Sequence, residues 1–376
     1  MKKIFSLLIN VVLLCAVLVT CCLTGCERII PQQGFDEKVL QITATIFPEY
    51  DWVMNILGDN PANADVCLLL DNGTDLHSFQ PSVHDILQIS SSDLFIYVGG
   101  ESDEWIEDVL KEAVNKNMEV INLMDVLEGQ VREEEVVEGM QAGRPGSVHG
   151  SGNTDDSPAY NNSDTIDAAD TVDAADAAKS EDVPGDEEEP EYDEHVWLSL
   201  RNAAVIVDSI EAALTKLDPA NTQIYKENAA AYKEKLYSLD KQYEAVISES
   251  DLDILLFGDR FPFRYMTDDY GLSYYAAFAG CSAETEASFE TIVFLINKAD
   301  ELSLPAVMTI DRSDPRLAQS IVRSTQSKDQ EILTLNSLQS VTSQDIQNGV
   351  TYLSIMEDNL SVLEKALNYT GHLSPE

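Results

Sequence analysis

Apolar, β-branched runs alternate with helical patterns along this chain, and no other feature constrains its fold as strongly. Residues 39–46 (VLQITATI) alternate in polarity and read as a strand closed by Phe47-Pro48. Similar runs at 64–70, 93–98 and 118–123 are separated by helical patterns near 50–57, 81–90 and 105–115. After residue 250 the alternation resumes, with strands expected at 254–257, 272–277, 306–310 and 332–335. Helices are expected at 263–270, 288–302, 315–324 and 350–367. Strands that alternate with helices build βαβ units and a mostly parallel sheet. Between the two series lie a helical pattern at 202–217 and a longer one at 221–248, with Tyr225, Tyr232, Leu236, Leu239 and Tyr243 at helical spacing. About 28 residues at a rise of about 1.5 Å reach roughly 40 Å, enough to traverse a molecule of this size. The expected fold is α/β: two βα lobes with mostly parallel sheets, joined by one long interlobe helix.

Ahead of the first strand, Lys2 and Lys3 precede an apolar run over residues 4–19, which ends in Leu23-Thr24-Gly25-Cys26. A charged start, a short apolar core and small residues before a cut describe an export signal. Leu-Thr-Gly-Cys resembles the lipobox of bacterial lipoproteins, which makes residues 1–25 a signal peptide and Cys26 a lipidated first residue. A plain N-terminal membrane helix is the alternative, at the lower limit of a span of about 20 residues. Residues 26–38 read as a polar tether. No second apolar run is long enough to cross a bilayer, so the remainder is expected to be soluble.

Residues 128–194 differ in character, with 21 acids against three basic residues and clusters of Gly, Ser and Asn. Such a segment cannot bury enough apolar surface to offset the entropy of ordering. It reads as a disordered acidic insert in an N-terminal lobe spanning 39–219. A linker helix is expected at 220–249 and a C-terminal lobe at 250–376. The formal net charge of −44 excludes nucleic acid as a partner and favours cations. Of six cysteines, Cys67 and Cys281 fall outside the leader and the lipobox. Two cysteines so far apart form neither a CxxC pattern nor a disulfide framework, and both are expected to be free, buried thiols.

Residues able to hold a cation recur just after expected strands, at His77, Asp259 and Asp311, and His195 stands where order is expected to resume after the acidic insert. His77 lies in Gly73-Thr-Asp-Leu-His-Ser-Phe-Gln-Pro81, and His195 lies in Asp193-Glu-His-Val-Trp-Leu198. Asp259 follows Phe257-Gly258, and Asp311 follows an apolar run at 307–310. Ligands of open α/β sheets sit outside the carboxyl ends of the strands. Imidazole with carboxylate suits zinc and also manganese. His84 reads as solvated, and His149 and His372 stand in no local pattern. Asp311, next to Arg312, could equally be half of a surface ion pair. Spacing alone does not establish a metal site here.

Taken in order, these segments resemble the zinc and manganese ABC-transporter solute-binding proteins. Residues 73–82 resemble the first ligand motif of that family, 193–198 the second, and Phe257-Gly-Asp-Arg with Tyr270-Gly-Leu272 the third. Asp218-Pro-Ala-Asn221 with the long helix resembles the interlobe segment, and 352–360 resembles the terminal helix. The resemblance implies a cation in the cleft between two lobes, with His77, His195 and Asp259 as ligands and Asp311 as a candidate addition. Zinc relatives usually place His at the third position and manganese relatives Glu, whereas here it is Asp259. The stretch that supplies a fourth carboxylate corresponds to 335–339, which holds no acid.

The expected function is capture of Zn2+ outside the cytoplasm, by a protein anchored to the cell membrane through Cys26. Delivery is to an ABC importer made of a permease and its ATPase, by a monomer. The long insert favours zinc, since zinc relatives carry one there. The alternatives are the same role for Mn2+ or Fe2+, or a surface adhesin lipoprotein of the same fold. No HExxH, Gly-x-Ser-x-Gly or Cys/His pair appears, so the chain is not expected to be an enzyme.

Overall fold

A computed structural model describes residues 39–141, 191–282 and 286–370. The expected signal peptide, the lipidated Cys26, the whole of the tether, His149, His372 and the middle of the acidic insert lie outside the described residues.

Two four-stranded parallel sheets form the frame. In the first, β1 (Gln41–Ala44), β2 (Asp65–Leu68), β3 (Leu94–Tyr97) and β4 (Glu119–Asn122) stand in the order β2-β1-β3-β4. In the second, β5 (Ile254–Phe261), β6 (Ser273–Ala279), β7 (Ala306–Ile310) and β8 (Glu331–Leu335) stand in the order β6-β5-β7-β8. Each half therefore repeats one winding, in which the chain moves outward by one strand and then crosses back over the first. Parallel strands need crossover helices on the sheet faces, and the helical segments between the strands supply them.

Local chemistry sets the helix ends. Helix α1 (Phe47–Leu57) starts with Pro48 in its first turn, where a missing N–H costs nothing. Ser82 caps α2 (Val83–Ser91) through a box with Asp85. Helix α3 (Trp105–Glu112) and the short α4 (Leu123–Val126) complete the first series. Two long helices follow, α5 (Leu200–Leu217) and α6 (Thr222–Glu249). Buried Tyr225, Tyr232, Leu236, Leu239 and Tyr243 form the apolar stripe of α6, and these are the positions its periodicity picks out. In the second half, α7 (Arg264–Tyr270) ends at Gly271 in the left-handed conformation. It is followed by α8 (Phe289–Glu301), α9 (Arg316–Ser324), α10 (Ser343–Gln347) and α11 (Tyr352–Ala366). Among the described residues no helix is long and apolar enough to cross a membrane.

The segment expected to be disordered is structured at both of its ends. Glu133 pairs with Tyr192 in an antiparallel bridge, and Gln141 adds alongside Phe278 of β6. Asp193 and Glu194 are buried. Acidic composition alone suggests solvation. These two carboxylates tolerate burial because each faces a histidine. The cysteine expectation also needs correction. Cys67 and Cys281 are free, but each is only half buried.

Candidate metal centre

His77 and Asp311 lie beyond the carboxyl ends of β2 and β7, Asp259 lies within β5 and His195 on a turn outside the strands, and the structure does not gather all four. His77 stands on a single 3-10 turn, Leu76–Ser78, beyond β2. Asp75 caps that turn, its Oδ1 accepting from the His77 N–H at 3.0 Å. His195 is fully buried and sits at the start of the turn Val196–Leu198 that leads into α5. The two imidazoles meet with Nε2 atoms 3.1 Å apart and ring planes inclined at 60°.

Each ring is held by its other nitrogen. His195 Nδ1 lies 2.9 Å from Asp193 Oδ1, which also accepts from the His195 backbone N–H at 2.9 Å. His77 Nδ1 lies 2.8 Å from Ser102 Oγ and 3.4 Å from Glu194 Oε2. The second distance is an ionic contact rather than a well-formed hydrogen bond. Glu194 is fixed through Oε1 by the Ser102 N–H at 2.8 Å. Gly100, at φ +83°, lets that carboxylate lie against its backbone, since a Cβ there would collide with the Glu194 side chain. With Asp193 at one Nδ1 and Ser102 and Glu194 at the other, the two Nε2 atoms are left facing one another. Two lone pairs at 3.1 Å repel unless a proton or a cation lies between them. Outer carboxylates that orient histidines in this way recur at metal sites.

Burial works against protonation of His77, but Glu194 and Asp75 outweigh it, and Arg260 opposes them in part. The net effect raises its pKa above 6.5. Glu194 is itself resisted by burial, yet His77 and Ser102 hold it below the ordinary carboxylate range.

A third donor atom belongs to Cys281. Among the described residues, one group of His, Cys, Asp and Glu side chains could hold a metal ion: His77, His195 and Cys281, with donor atoms all within 4.8 Å of one another. Cys281 follows β6 after Gly280. A Cβ at Gly280 would lie 2.8 Å from the Phe261 carbonyl and 3.1 Å from His195 Cε1, so only glycine lets the strand end come this close to the ring. The Cys281 N–H donates to Glu134 Oε1 at 2.9 Å. Counting cysteines as pairs hides this role. The position of Cys281 just beyond an apolar strand, where His77 and Asp311 also stand, is the signal that could have found it.

Asp259 departs from expectation. The pairing of β5 with β6 shifts register between Phe257 and Arg260, and the irregularity falls on this residue. Its Oδ2 accepts from the Ile310 N–H at 3.1 Å and from the Ser313 hydroxyl, so it ties β5 to β7 and does not join the histidines. Its neighbour Arg260 reaches Asp75 Oδ2 at 2.8 Å. Asp311 is also engaged elsewhere, accepting from Ser337 N–H at 2.6 Å and from the hydroxyls of Ser337 and Ser340. Arg312 pairs with Asp345 rather than with Asp311. His84 is exposed.

His77 opens into a cavity of about 240 Å³ lined by Glu101, Glu134, Glu191 and Glu194, with Cys281 on its wall. This acidic mouth attracts cations. A larger hollow of about 900 Å³ lies at the opposite, amino-terminal ends of β7 and β8, away from the donor cluster.

The family model for the periplasmic zinc-uptake complex component A, ZnuA, matches residues 42–366. The zinc-binding lipoprotein AdcA of Streptococcus pneumoniae strain R6 is 28% identical over 373 residues, which is 99% of this chain and 62% of that protein. The chain thus spans less than two thirds of that relative. The crystal structure of the Zn(II)-bound ZnuA-like domain of Streptococcus pneumoniae AdcA shares the fold, with a TM-score of 0.62 at 24% identity, covering 88% of this chain and 99% of that one. So does the binding protein FpvC of Pseudomonas aeruginosa, solved in complex with Mn2+, with a TM-score of 0.61 at 19% identity over 89% of this chain and 100% of that one. With two parallel-sheet lobes, a pair of histidines whose Nε2 atoms face one another and a family match over nearly all the described residues, this chain belongs to the ZnuA family of zinc-uptake components.

Proposed function

We propose that this chain captures Zn2+ between His77 and His195, outside the cytoplasm, and passes it to an ABC importer composed of a permease and its ATPase. The chain binds and releases the ion and carries out no reaction on it. Cys26 anchors it to the membrane through lipid. Family membership supports the uptake role, and the name of the pneumococcal relative supports the anchor.

The observation that carries the reading is the 3.1 Å approach of two Nε2 atoms whose rings are each fixed from behind by a carboxylate. Two nitrogens bound to one tetrahedral zinc at about 2.0–2.1 Å stand roughly 3.3 Å apart, so the rings need almost no movement to accept the ion. The acidic mouth supplies the approach path.

Competition against a chromogenic chelator tests the proposal. His77→Ala and His195→Ala should each weaken zinc binding by more than the roughly 10–100-fold that loss of an outer partner costs. Undiminished affinity in both variants sinks it.

A further inference from the structure

We infer that the thiolate of Cys281 is the third protein ligand and that it fits the site to thiophilic cations, zinc above manganese. The inference rests on the binding role proposed for the two histidines and names the class of ion they would receive. Three features of the structure carry it. The sulfur is grouped with one ring nitrogen of each histidine, all within 4.8 Å. Gly280 removes the one side chain that would hold the β6 end away from the His195 ring. The Cys281 backbone is pinned by Glu134, which steadies the sulfur at the rim of the cavity. The carboxylate expected in this role, Asp259, is occupied by Ile310 and Ser313 on the far side of β5.

A zinc ion takes sulfur at about 2.3 Å and nitrogen at about 2.0–2.1 Å, which puts sulfur and nitrogen roughly 3.6 Å apart. Closure from a separation of up to 4.8 Å needs a shift of about 1 Å, within reach of a side chain just past a strand end. One thiolate and two imidazoles form a borderline-soft set. Such a set suits zinc, whereas manganese prefers carboxylate, carbonyl and water.

Cobalt(II) bound to the full chain tests the ligand directly, because a thiolate ligand gives an intense near-ultraviolet charge-transfer band and imidazole does not. The wild-type cobalt complex should show the band. Cys281→Ser should lose it while still binding cobalt, and Cys281→Asp should narrow the preference for zinc over manganese by at least about 10-fold, since it exchanges sulfur for oxygen. Alkylation read by peptide mass spectrometry gives a check without substitution. Zinc at about 100 times its Kd should slow modification of Cys281 by about 100-fold and leave Cys67 unprotected. A wild-type cobalt complex without the band, or a Cys281→Ser complex that retains it, overturns the assignment while the histidine site stands. A wild-type chain that binds neither cobalt nor zinc overturns both.

Discussion

His77 and His195 turn their Nε2 atoms toward each other because Ser102 and Glu194 hold the other nitrogen of one ring and Asp193 that of the other, and the consequences can be measured one residue at a time. Glu194→Gln keeps the shape but removes the negative charge facing His77 Nδ1. Outer partners of this kind contribute about 10–100-fold to metal affinity, so zinc affinity should fall within that range with the fold intact. The pH dependence has a definite sign. Zinc needs neutral imidazole, and the neighbouring acids favour protonated His77, raising its pKa above 6.5. Zinc affinity should therefore decline on acidification from a pH above 6.5, and Glu194→Gln should move the decline to lower pH. Titrations at a series of pH values read both effects. The pairing of these histidines was implied in the sequence by the resemblance of their two motifs to a family's ligand motifs and not by spacing, and the turn of each is fixed by an adjacent residue, Asp75 for one and Asp193 for the other. The third position was not legible. A bulge in β5 turns Asp259 toward β7, and the closeness of Cys281 depends on strand pairing between segments distant in sequence.

At the scale of single elements, hydrophobic periodicity placed every strand of both sheets. The short α4 and α10 carry too few residues to show a period and escaped it. The N-terminus of α1 holds an unusual feature that only the structure reveals. Glu49 is fully buried, and its Oε2 accepts from the Thr45 and Ile46 N–H groups at 2.7 and 3.2 Å and from the Thr45 hydroxyl at 3.1 Å. Burial raises its pKa from 4.5 to about 8, with Asp103 adding to the rise and the backbone donors opposing it. In the folded chain Glu49 therefore keeps its proton up to about pH 8, whereas in the unfolded chain it ionises above 4.5. Its contribution to stability is complete below pH 4.5 and is lost as pH rises toward 8. The slope is roughly 1.4 kcal/mol per pH unit inside that window. Glutamine can accept the same hydrogen bonds without titrating. Glu49→Gln should be more stable than wild type near pH 8, with the difference shrinking to almost nothing near pH 4.5. Denaturant unfolding at several pH values measures the difference, and parallel curves for the two proteins would show that Glu49 ionises freely.

Over the whole molecule, the site is made by holding the segment that bears His195 against the second half. Three buried hydrogen bonds do this. Trp197 Nε1 donates to the Ser337 carbonyl at 2.9 Å, the Tyr352 hydroxyl to the Trp197 carbonyl at 2.8 Å, and the Tyr265 hydroxyl to the Asp193 carbonyl at 2.7 Å. Tyr265 also accepts from the Arg132 N–H at 3.1 Å, so one phenol fixes both ends of the acidic insert beside the metal centre. His77 comes from the first half and Cys281 from the second, and an ion bound to both couples the halves. Zinc should therefore raise the stability of the two halves together, in one cooperative transition, by about 2.7 kcal/mol at 100 times its Kd. Tyr265→Phe leaves the Asp193 carbonyl and the Arg132 N–H without their partner, at a cost of about 1–3 kcal/mol for each group that stays buried. It also loosens the aspartate that orients His195. The variant should be less stable without metal and should gain less from a given zinc concentration than wild type. Calorimetric melting with and without zinc distinguishes the outcomes. Two transitions, of which zinc moves only one, would mean that the ion is held by one half alone.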